Sequence, residues 1–222
     1  MLKRILIAGI AALSLAGGAF WMMRGESLPP SLSMAATAQE TSTSSEAAMV
    51  PDMILGKIDA PVEMIEYASF TCPHCAHFHA DVYPQLKKNY IDTGKVKFIY
   101  REVYFDKFGL WAAMVARCAR PEKYFPIADM VFDTQKDWIG DGKPETISEN
   151  LRKIGLKAGL TKEALDACLN DNDMAKAMVA TYQTNATKDE INSTPSFVIN
   201  GQKYSNMSYD DLAKLLDEKL AN

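Results

Sequence analysis

The sequence contains few cysteines, no excess of positive charge and no internal repeat. Only four of its 222 residues are cysteine, and only Cys72 and Cys75 have the C-x-x-C spacing. A structural zinc site usually needs two such pairs, so the spacing does not favour a zinc module. The formal net charge is −4, and it falls to −7 when the three cations among the first 24 residues are removed. Binding to a nucleic-acid backbone is therefore not expected, because it depends on basic side chains that neutralise phosphates.

The remaining composition is that of an ordinary globular protein. Hydrophobic residues make up 48% of the chain and charged residues 23%, so one substantial core can form. A single folded domain is the simplest expectation for a chain of this length.

The first 24 residues have the pattern of an export element. Two basic residues precede residues 5–23, a charge-free stretch of nineteen residues that Arg24 closes. As a helix, at about 1.5 Å per residue, this stretch nearly matches the roughly 30 Å of bilayer hydrocarbon, which fits an uncleaved anchor. Residues 36–38 have the A-x-A pattern of a signal-peptidase site, although they lie farther downstream than such sites usually do. Residues 1–24 are thus interpreted as a signal peptide or an N-terminal membrane anchor.

A change of composition separates this element from the rest of the chain. Residues 25–50 are rich in Ser, Thr, Ala and Pro and poor in bulky apolar side chains. Such a segment cannot bury enough apolar surface to fold, so it is predicted to be a flexible linker. Residues 51–222 are predicted to form the folded domain.

A strand-helix-strand unit is predicted at the start of the folded region. Residues 62–70 are rich in β-branched and aromatic side chains, which is typical of a buried strand. A helical pattern runs over residues 72–90, with Pro84 as a kink, and residues 95–103 then alternate in polarity like a second strand. A connection of this kind makes the two strands parallel.

An α-helical insertion and a second strand-containing half follow. The periodicity between about 109 and 189 is helical, over residues 110–119, 124–138, 146–158, 161–169 and 174–187. Residues 196–204 then have the pattern of a β-hairpin with Asn200-Gly201 at its turn, and residues 209–220 form an amphipathic helix. The predicted order is a β-α-β half, the insertion and a β-β-α half, which is an α/β fold.

The motif Cys72-Pro73-His74-Cys75 is the principal candidate for chemistry. A lone C-x-x-C is half a zinc site, a redox pair or a coincidence, and the lack of a second pair favours redox. Cys72 lies at the start of the predicted helix, with Pro73 at the first helical position. There the free backbone N–H groups and the helix dipole favour a thiolate, and a protonated His74 adds to this effect. Cys75, one turn further, is expected to be buried and unreactive.

Two motifs and the insertion together resemble the DsbA family of periplasmic thiol oxidases. The first motif is Glu66-x5-Cys72-Pro73-His74-Cys75. The second is Thr194-Pro195-Ser196-Phe197-Val198-Ile199-Asn200-Gly201. The resemblance covers about residues 53–220 and implies a thioredoxin-like fold with an inserted α-helical subdomain. It further implies catalytic cysteines at Cys72 and Cys75, with no cofactor and no bound metal.

The resemblance also implies roles for three residues outside the C-x-x-C motif. In the DsbA family the bond corresponding to Thr194–Pro195 is cis and lies beside the disulfide, where the threonine backbone contacts substrate. Pro195 also fits an ordinary proline at the start of a strand. Glu66 occupies the place of a buried acid that assists proton transfer. The alternative is an exposed Glu66, or one paired with Lys97 on the next strand.

The other two cysteines, Cys118 and Cys168, bring the count to an even number in a chain predicted to be exported. A second disulfide is therefore expected, and it would stabilise the fold by roughly 4 kcal/mol in the chain-entropy model. The resemblance supports this pair, since DsbA-like proteins of the alphaproteobacterial type share it together with a stretch like residues 112–118. A role in tuning the redox pair is the alternative to a structural role.

The resemblance implies a function and its partners. The chain is expected to introduce disulfides into reduced, unfolded or exported polypeptides in the periplasm, either soluble after cleavage or tethered by residues 5–23. A DsbB-type membrane quinone oxidoreductase is expected to reoxidise it, and no nucleic acid is expected as a partner.

Two alternatives stay open at this point. A disulfide isomerase or reductase is less favoured, because residues 25–50 are too short and polar to dimerise. A metal-binding module on the same fold would use cysteine and histidine, since Cys75 and His79 share one helix face and His77 lies beside them.

Overall fold

The computed structural model describes residues 49–221. The predicted leader at residues 1–24 and nearly all of the predicted linker at 25–50 lie outside the described residues. Within the described part of the chain, no helix is both long enough and apolar enough to span a bilayer.

A mixed five-stranded sheet forms the centre of the described region. Its strands are β1 (Met53–Leu55), β2 (Val62–Ala68), β3 (Val96–Glu102), β4 (Ser196–Ile199) and β5 (Gln202–Ser205), in the order β1-β3-β2-β4-β5. The strands β2 and β3 are parallel, as predicted, and the other pairs are antiparallel. Because β2 has neighbours on both sides and helices above it, nearly all of its residues are buried, including Glu66 opposite Tyr100 and Phe197.

The helical stretch predicted over residues 72–90 forms three consecutive pieces. These are α1 (Pro73–Asp81), α2 (Tyr83–Leu86) and a π-helical segment (Lys87–Ile91). The break falls at Val82, two residues before Pro84, because a proline ring cannot follow an unbroken α-helix without clashing with the preceding turn. The kink predicted at Pro84 is therefore a complete break just before it.

Six α-helices make up the insertion between β3 and β4. They are α3 (Lys107–Arg117), α4 (Tyr124–Asp133), α5 (Gln135–Ile139), α6 (Pro144–Lys157), α7 (Lys162–Leu169) and α8 (Asn172–Lys188), with a 3-10 turn at Pro121–Lys123. The single helix predicted over residues 124–138 is wrong. It breaks at Thr134, where the backbone leaves the helical conformation and the hydroxyl donates to the carbonyl of Met130 at 2.7 Å. This break sets the direction of α5.

The main core lies between the sheet and the helices and is rich in aromatic side chains. Phe70, Phe78, Tyr100 and Phe132 are all at most 4% exposed and make tilted or edge-on ring contacts with one another or with neighbouring rings. The helix α9 (Tyr209–Leu220) closes the domain and contributes Leu212 and Leu216 to this core. The core surrounds the first turns of α1, where the C-x-x-C motif lies.

A buried ion pair joins the end of β3 to the end of α3. The Nε and Nη2 atoms of Arg117 each donate to one carboxylate oxygen of Glu102 at 2.7 Å, and the side chains are 4% and 5% exposed. The hydroxyl of Tyr124 also donates to Glu102 at 2.7 Å. Sheet and insertion are thus connected by a fully hydrogen-bonded carboxylate.

The first strand, β1, was not predicted from the sequence. It has three residues and pairs with β3 through Met53 opposite Tyr100 and Leu55 opposite Phe98. Three residues are too few to display a period of two, so only the pairing partner reveals the strand.

Candidate active site

Cys72 and Cys75 lie at the N-terminal end of α1, on the edge of the main core. Cys72 is the N-cap residue and is 9% exposed, whereas Cys75 is 0% exposed. Both are free thiols in the structure. The local sequence explains this placement, because Pro73 has the backbone angle of a first helical residue and needs no hydrogen-bond partner there. Cys75 is then carried one turn further into the core.

The Thr194–Pro195 segment lies beside Cys72. The peptide bond between Thr194 and Pro195 is cis, and Sγ of Cys72 lies 3.6 Å from the carbonyl oxygen of Thr194. Pro195 is buried at the start of β4, next to the strand that contains Glu66. Residues separated by more than 120 positions in the sequence therefore meet at the C-x-x-C motif.

The two thiols have opposite acidities. A hydrogen bond from the Cys75 thiol is the main cause that lowers the pKa of Cys72, to about 5. Burial opposes this shift, while a side-chain hydrogen bond from Thr194 and the backbone N–H groups of Cys75 and His74 reinforce it. Burial raises the pKa of the Cys75 thiol far above its ordinary value, with further contributions from its hydrogen bond to Cys72 and from the charge of Glu66. At neutral pH the reduced pair is thus a Cys72 thiolate and a Cys75 thiol.

His74 acts on this arrangement through its backbone. Its side chain is exposed, and its backbone N–H is one of the donors that lower the pKa of Cys72. The N–H groups at the start of α1 thus stabilise the thiolate, as expected for a helix N-terminus. The contribution of the backbone N–H groups agrees with the sequence analysis, and an added contribution from a protonated His74 imidazole stays a prediction.

The acidity of Cys72 predicts the pH dependence of its alkylation. In the reduced protein, we expect the rate of reaction with iodoacetamide to follow a titration with its midpoint near pH 5. The pKa is lowered on folding, so the thiolate stabilises the reduced protein above the ordinary thiol pKa, and this contribution is lost as the pH falls through about 5.

The Cys75→Ala variant is the matched test of this titration. It removes the donor that lowers the pKa most, so its midpoint should move upward towards that of an ordinary thiol. A wild-type midpoint near pH 8.5 would contradict the prediction.

Gln135 holds the backbone on both sides of the active-site turn. Its Nε2 atom donates to the carbonyl oxygens of Phe70 at 2.8 Å and Cys72 at 3.0 Å, and the residue is 6% exposed. The residue is the first of α5, so the break at Thr134 directs it towards the motif. Sequence analysis did not identify Gln135, because a glutamine within a helical insertion has no local pattern that indicates a distant partner.

Replacing Gln135 tests this contact. We expect Gln135→Met to lower the free energy of unfolding of the reduced protein by about 2 kcal/mol, because two buried carbonyl groups lose their donor. The measurement is urea denaturation followed by circular dichroism. The control is Gln183→Met on an exposed position of α8, which should change stability by no more than about 0.5 kcal/mol. Equal effects of the two substitutions would show that the contact contributes nothing.

The turn before Cys72 is also connected to the insertion. The hydroxyl of Thr71 donates to Asp106 at 2.8 Å, and Asp106 in turn accepts from the backbone N–H groups of Phe108 and Gly109 as the N-cap of α3. One carboxylate therefore joins the first turn of α3 to the residue that precedes the motif.

Glu66 is fully buried and bonded to a histidine. Both of its carboxylate oxygens lie within hydrogen-bond distance of His79 Nε2, at 3.1 and 3.0 Å. The alternative of an exposed Glu66, or one paired with Lys97, is wrong, since Lys97 pairs with Glu63 instead. Glu63 and Lys97 are opposite in the β2–β3 register, whereas Glu66 lies on the buried part of β2.

The metal-binding hypothesis rested on Cys75, His77 and His79. His77 is exposed, while His79 is 8% exposed and is bonded to Glu66. Among residues 49–221, no group of three or more His, Cys, Asp or Glu side chains is arranged to hold a metal ion. The helix face that His79 shares with Cys75 therefore places His79 beside the Glu66 carboxylate.

The second pair of cysteines forms a disulfide within the insertion. Cys118, at the end of α3, is bonded to Cys168 in α7, with 5.8 Å between their Cα atoms. The bond joins two helices that are 50 residues apart in the sequence.

Comparison with known proteins shows the same architecture. A family model described as Thioredoxin matches residues 48–218. The crystal structure of alpha-DsbA1 from Wolbachia pipientis is similar with a TM-score of 0.71 and 31% sequence identity, over 80% of this chain and 94% of that one. The predicted thioredoxin-like fold with inserted helices, and the resemblance to DsbA, are thereby confirmed.

Two relatives add a comparison by sequence. A Rickettsia prowazekii protein, provisionally named a protein-disulfide oxidoreductase, is 35% identical over 170 residues, which are 76% of this chain and 61% of that protein. This chain therefore spans less than two thirds of that relative's length. Disulfide bond formation protein D of Bacillus subtilis is 28% identical over 188 residues, covering 75% of this chain and 76% of that protein. The chain belongs to the thioredoxin family, as one of its DsbA-like members.

Proposed function

We propose that this chain is a protein thiol-disulfide oxidoreductase that introduces disulfide bonds into exported proteins through Cys72 and Cys75. The observation that supports this most strongly is the asymmetry of the pair, in which Cys72 is 9% exposed and has a pKa of about 5, while Cys75 is fully buried. A redox pair needs one sulfur that reacts with substrate and one that does not, and this geometry provides both.

The proposed cycle begins with the Cys72–Cys75 disulfide. A substrate thiolate attacks Sγ of Cys72, the disulfide breaks, and Cys75 leaves with the electron pair and takes up a proton. A second substrate thiolate then attacks the substrate sulfur of the mixed disulfide, and Cys72 leaves as a thiolate. The substrate is oxidised by two electrons and the protein pair is reduced.

The acidity of Cys72 supports the oxidising direction. A pKa of about 5 stabilises the reduced form at pH 7 by about 2 kcal/mol, once solvent screening at this sulfur is allowed for, which corresponds to roughly 40 mV. The Thr194 carbonyl beside Cys72 supports a substrate-binding role for the Thr194–Pro195 segment, because a backbone group there can pair with an extended peptide.

An extracytoplasmic site of action forms part of the proposal. The Cys118–Cys168 disulfide supports it, since such bonds persist in oxidising compartments. The basic and apolar pattern of residues 1–24 supports export to the periplasm, either as a soluble protein or tethered by residues 5–23. The resemblance to the DsbA family supports a DsbB-type membrane quinone oxidoreductase as the partner that restores the disulfide.

The decisive experiment is the equilibrium reduction potential of the pair in glutathione buffers. We expect a value shifted from the roughly −270 mV of thioredoxin towards the roughly −120 mV of DsbA, and a value near −270 mV would contradict an oxidase and favour a reductase. A parallel sample with Cys118→Ala and Cys168→Ala should give the same potential if that disulfide is structural. A second assay follows the oxidation of a reduced, unfolded substrate protein by the recovery of its native activity.

A further inference from the structure

The first step of the proposed cycle requires a proton at a fully buried sulfur. Cys75 is 0% exposed, and burial keeps its thiol from ionising, so it is a poor leaving group as a bare thiolate. Cys72 lies between Cys75 and the solvent at the N-terminal end of α1, where the substrate would bind. A proton for Cys75 therefore has to arrive from the protein side of the pair.

Glu66 and His79 lie on that protein side. His79 follows Cys75 by four residues, so both side chains are on the face of α1 that packs against the sheet, where Glu66 lies in β2. The charge of Glu66 acts on the Cys75 thiol, and the carboxylate is bonded through both oxygens to His79 Nε2. Glu66 thus acts electrostatically on the Cys75 thiol and is hydrogen-bonded to His79.

The imidazole of His79 is held in one orientation. It stacks on Phe132 with ring centroids 4.0 Å apart and planes at 17°, and Tyr83 covers it at 4.7 Å. Phe78 and Tyr100 contact its edges at 5.7 and 6.0 Å. Because the ring is confined in this way, its Nε2 atom stays on Glu66 and its Nδ1 atom points to the opposite side.

A cavity lies on that opposite side. His79 Nδ1 and the Tyr83 hydroxyl are buried and have no hydrogen-bond partner within residues 49–221, and both residues line the same cavity of about 210 Å³. A water molecule occupies about 30 Å³ in the liquid, so this volume holds several. Pro84 and Asp133, which also line it, are exposed, so the cavity reaches the surface. Both atoms are buried within residues that line this cavity, so the cavity offers a route by which water can approach them.

The titratable and charged groups around the ring come from several elements. They are Glu66 in β2, Cys75 in α1, Tyr83 in α2, Lys87 in the π-helical segment, Tyr100 in β3, and Asp129 and Asp133 in α4. Burial raises the pKa of Asp129, and the charge of His79 opposes that shift. An acidic group at the cavity wall can therefore pass protons between water and the ring.

We propose that His79 connects the buried Glu66–Cys75 pair to solvent through this cavity and transfers the proton that Cys75 needs as it leaves the disulfide. Glu66 delivers the proton to the Cys75 sulfur, His79 Nε2 restores it on Glu66, and Nδ1 takes its replacement from water in the cavity. Imidazole suits this step because one nitrogen can accept a proton while the other donates one. The inference rests on the proposed function, and it identifies His79 as the residue through which the proton taken up by Cys75 is replaced.

The test is the single-turnover reduction of oxidised protein by dithiothreitol, stopped with acid and measured by alkylation and mass spectrometry. In His79→Gln, the amide can still donate to Glu66 but cannot take up a proton. We expect the rate at pH 7 to fall by about 100-fold, the lower end of the usual range for general acid catalysis. Added imidazole should raise the rate of the variant in proportion to its concentration and leave the wild-type rate unchanged.

Tyr83→Phe is the matched control, since it removes the other orphaned group from the same cavity and keeps the ring that covers His79. Its rate should equal that of the wild type. A His79→Gln variant that reacts at the wild-type rate overturns the inference. If this variant does not fold, the wild-type rate of reduction is measured in D2O. A rate equal to that in H2O excludes a proton transfer in the reduction step and overturns the inference. A wild-type protein that fails to react with dithiothreitol would instead contradict the proposed function.

Discussion

Replacing Cys72 by serine is expected to abolish thiol-disulfide exchange completely. The other member of the pair cannot substitute for it, because Cys75 is 0% exposed and its thiol stays protonated at neutral pH. A serine hydroxyl at position 72 does not form a disulfide. The measurement is the oxidation of a peptide with two cysteines, followed by mass spectrometry under conditions in which the wild-type protein turns over.

The matched variant, Cys75→Ser, should behave differently. It retains the acidic thiol of Cys72 and lacks the sulfur that can displace a bound substrate, so it should accumulate a mixed disulfide with a cysteine-containing peptide. The Cys72→Ser variant should form none. If both variants formed mixed disulfides equally well, the two thiols would be equivalent and the assignment of Cys72 as the attacked sulfur would be wrong.

Replacing Arg117 by methionine is expected to lower the free energy of unfolding by about 3–5 kcal/mol. The substitution leaves the carboxylate of Glu102 buried with one remaining donor, Tyr124, and breaking a buried ion pair from one side has this cost. The exchange also removes the hydrogen bond from Arg117 Nη1 to the carbonyl of Pro51 at 3.0 Å. Urea denaturation of the oxidised protein measures the effect.

An exposed pair in the same part of the insertion provides the control. Arg120 and Glu122 form an ion pair at 3.1 Å with side chains 78% and 61% exposed, so Arg120→Met should cost less than about 1 kcal/mol. If both substitutions had equally small effects, the buried pair would not be a determinant of stability. The comparison isolates burial, because the chemistry of the two pairs is the same.

Most elements of the fold could be predicted because their signals are local. The strands β2 and β3, the hairpin of β4 and β5 and the terminal helix α9 have periodicity or turn residues within their own sequence. The break at Val82 had a local signal in Pro84, whereas the break at Thr134 had none, since the surrounding residues continue a helical pattern across it. At Thr134, packing of the following segment against the core decides where the helix ends.

The residues of the candidate site also divide into those with a local sequence signal and those without one. Cys72 and Cys75 could be found from their spacing, whereas Gln135 and the partner of Glu66 could not. Nothing within several residues of Gln135 or His79 indicates the group that each one binds. Hydrogen bonds between distant segments depend on how the elements pack, and the periodicity of the sequence does not predict them.

The redox motif and the order of the secondary-structure elements could both be identified without the structure. A C-x-x-C pair at a helix start and a β-α-β unit followed by helices and a β-β-α unit are visible in one dimension, because both depend on residues close to one another in the sequence. The helix-start position of Cys72 already predicted which sulfur is acidic, but the groups that set the proton affinity of each sulfur were visible only in the tertiary structure. Burial, the cis segment at Thr194–Pro195 and the Glu66–His79 contact come from distant parts of the chain, and proton affinity depends on these surroundings.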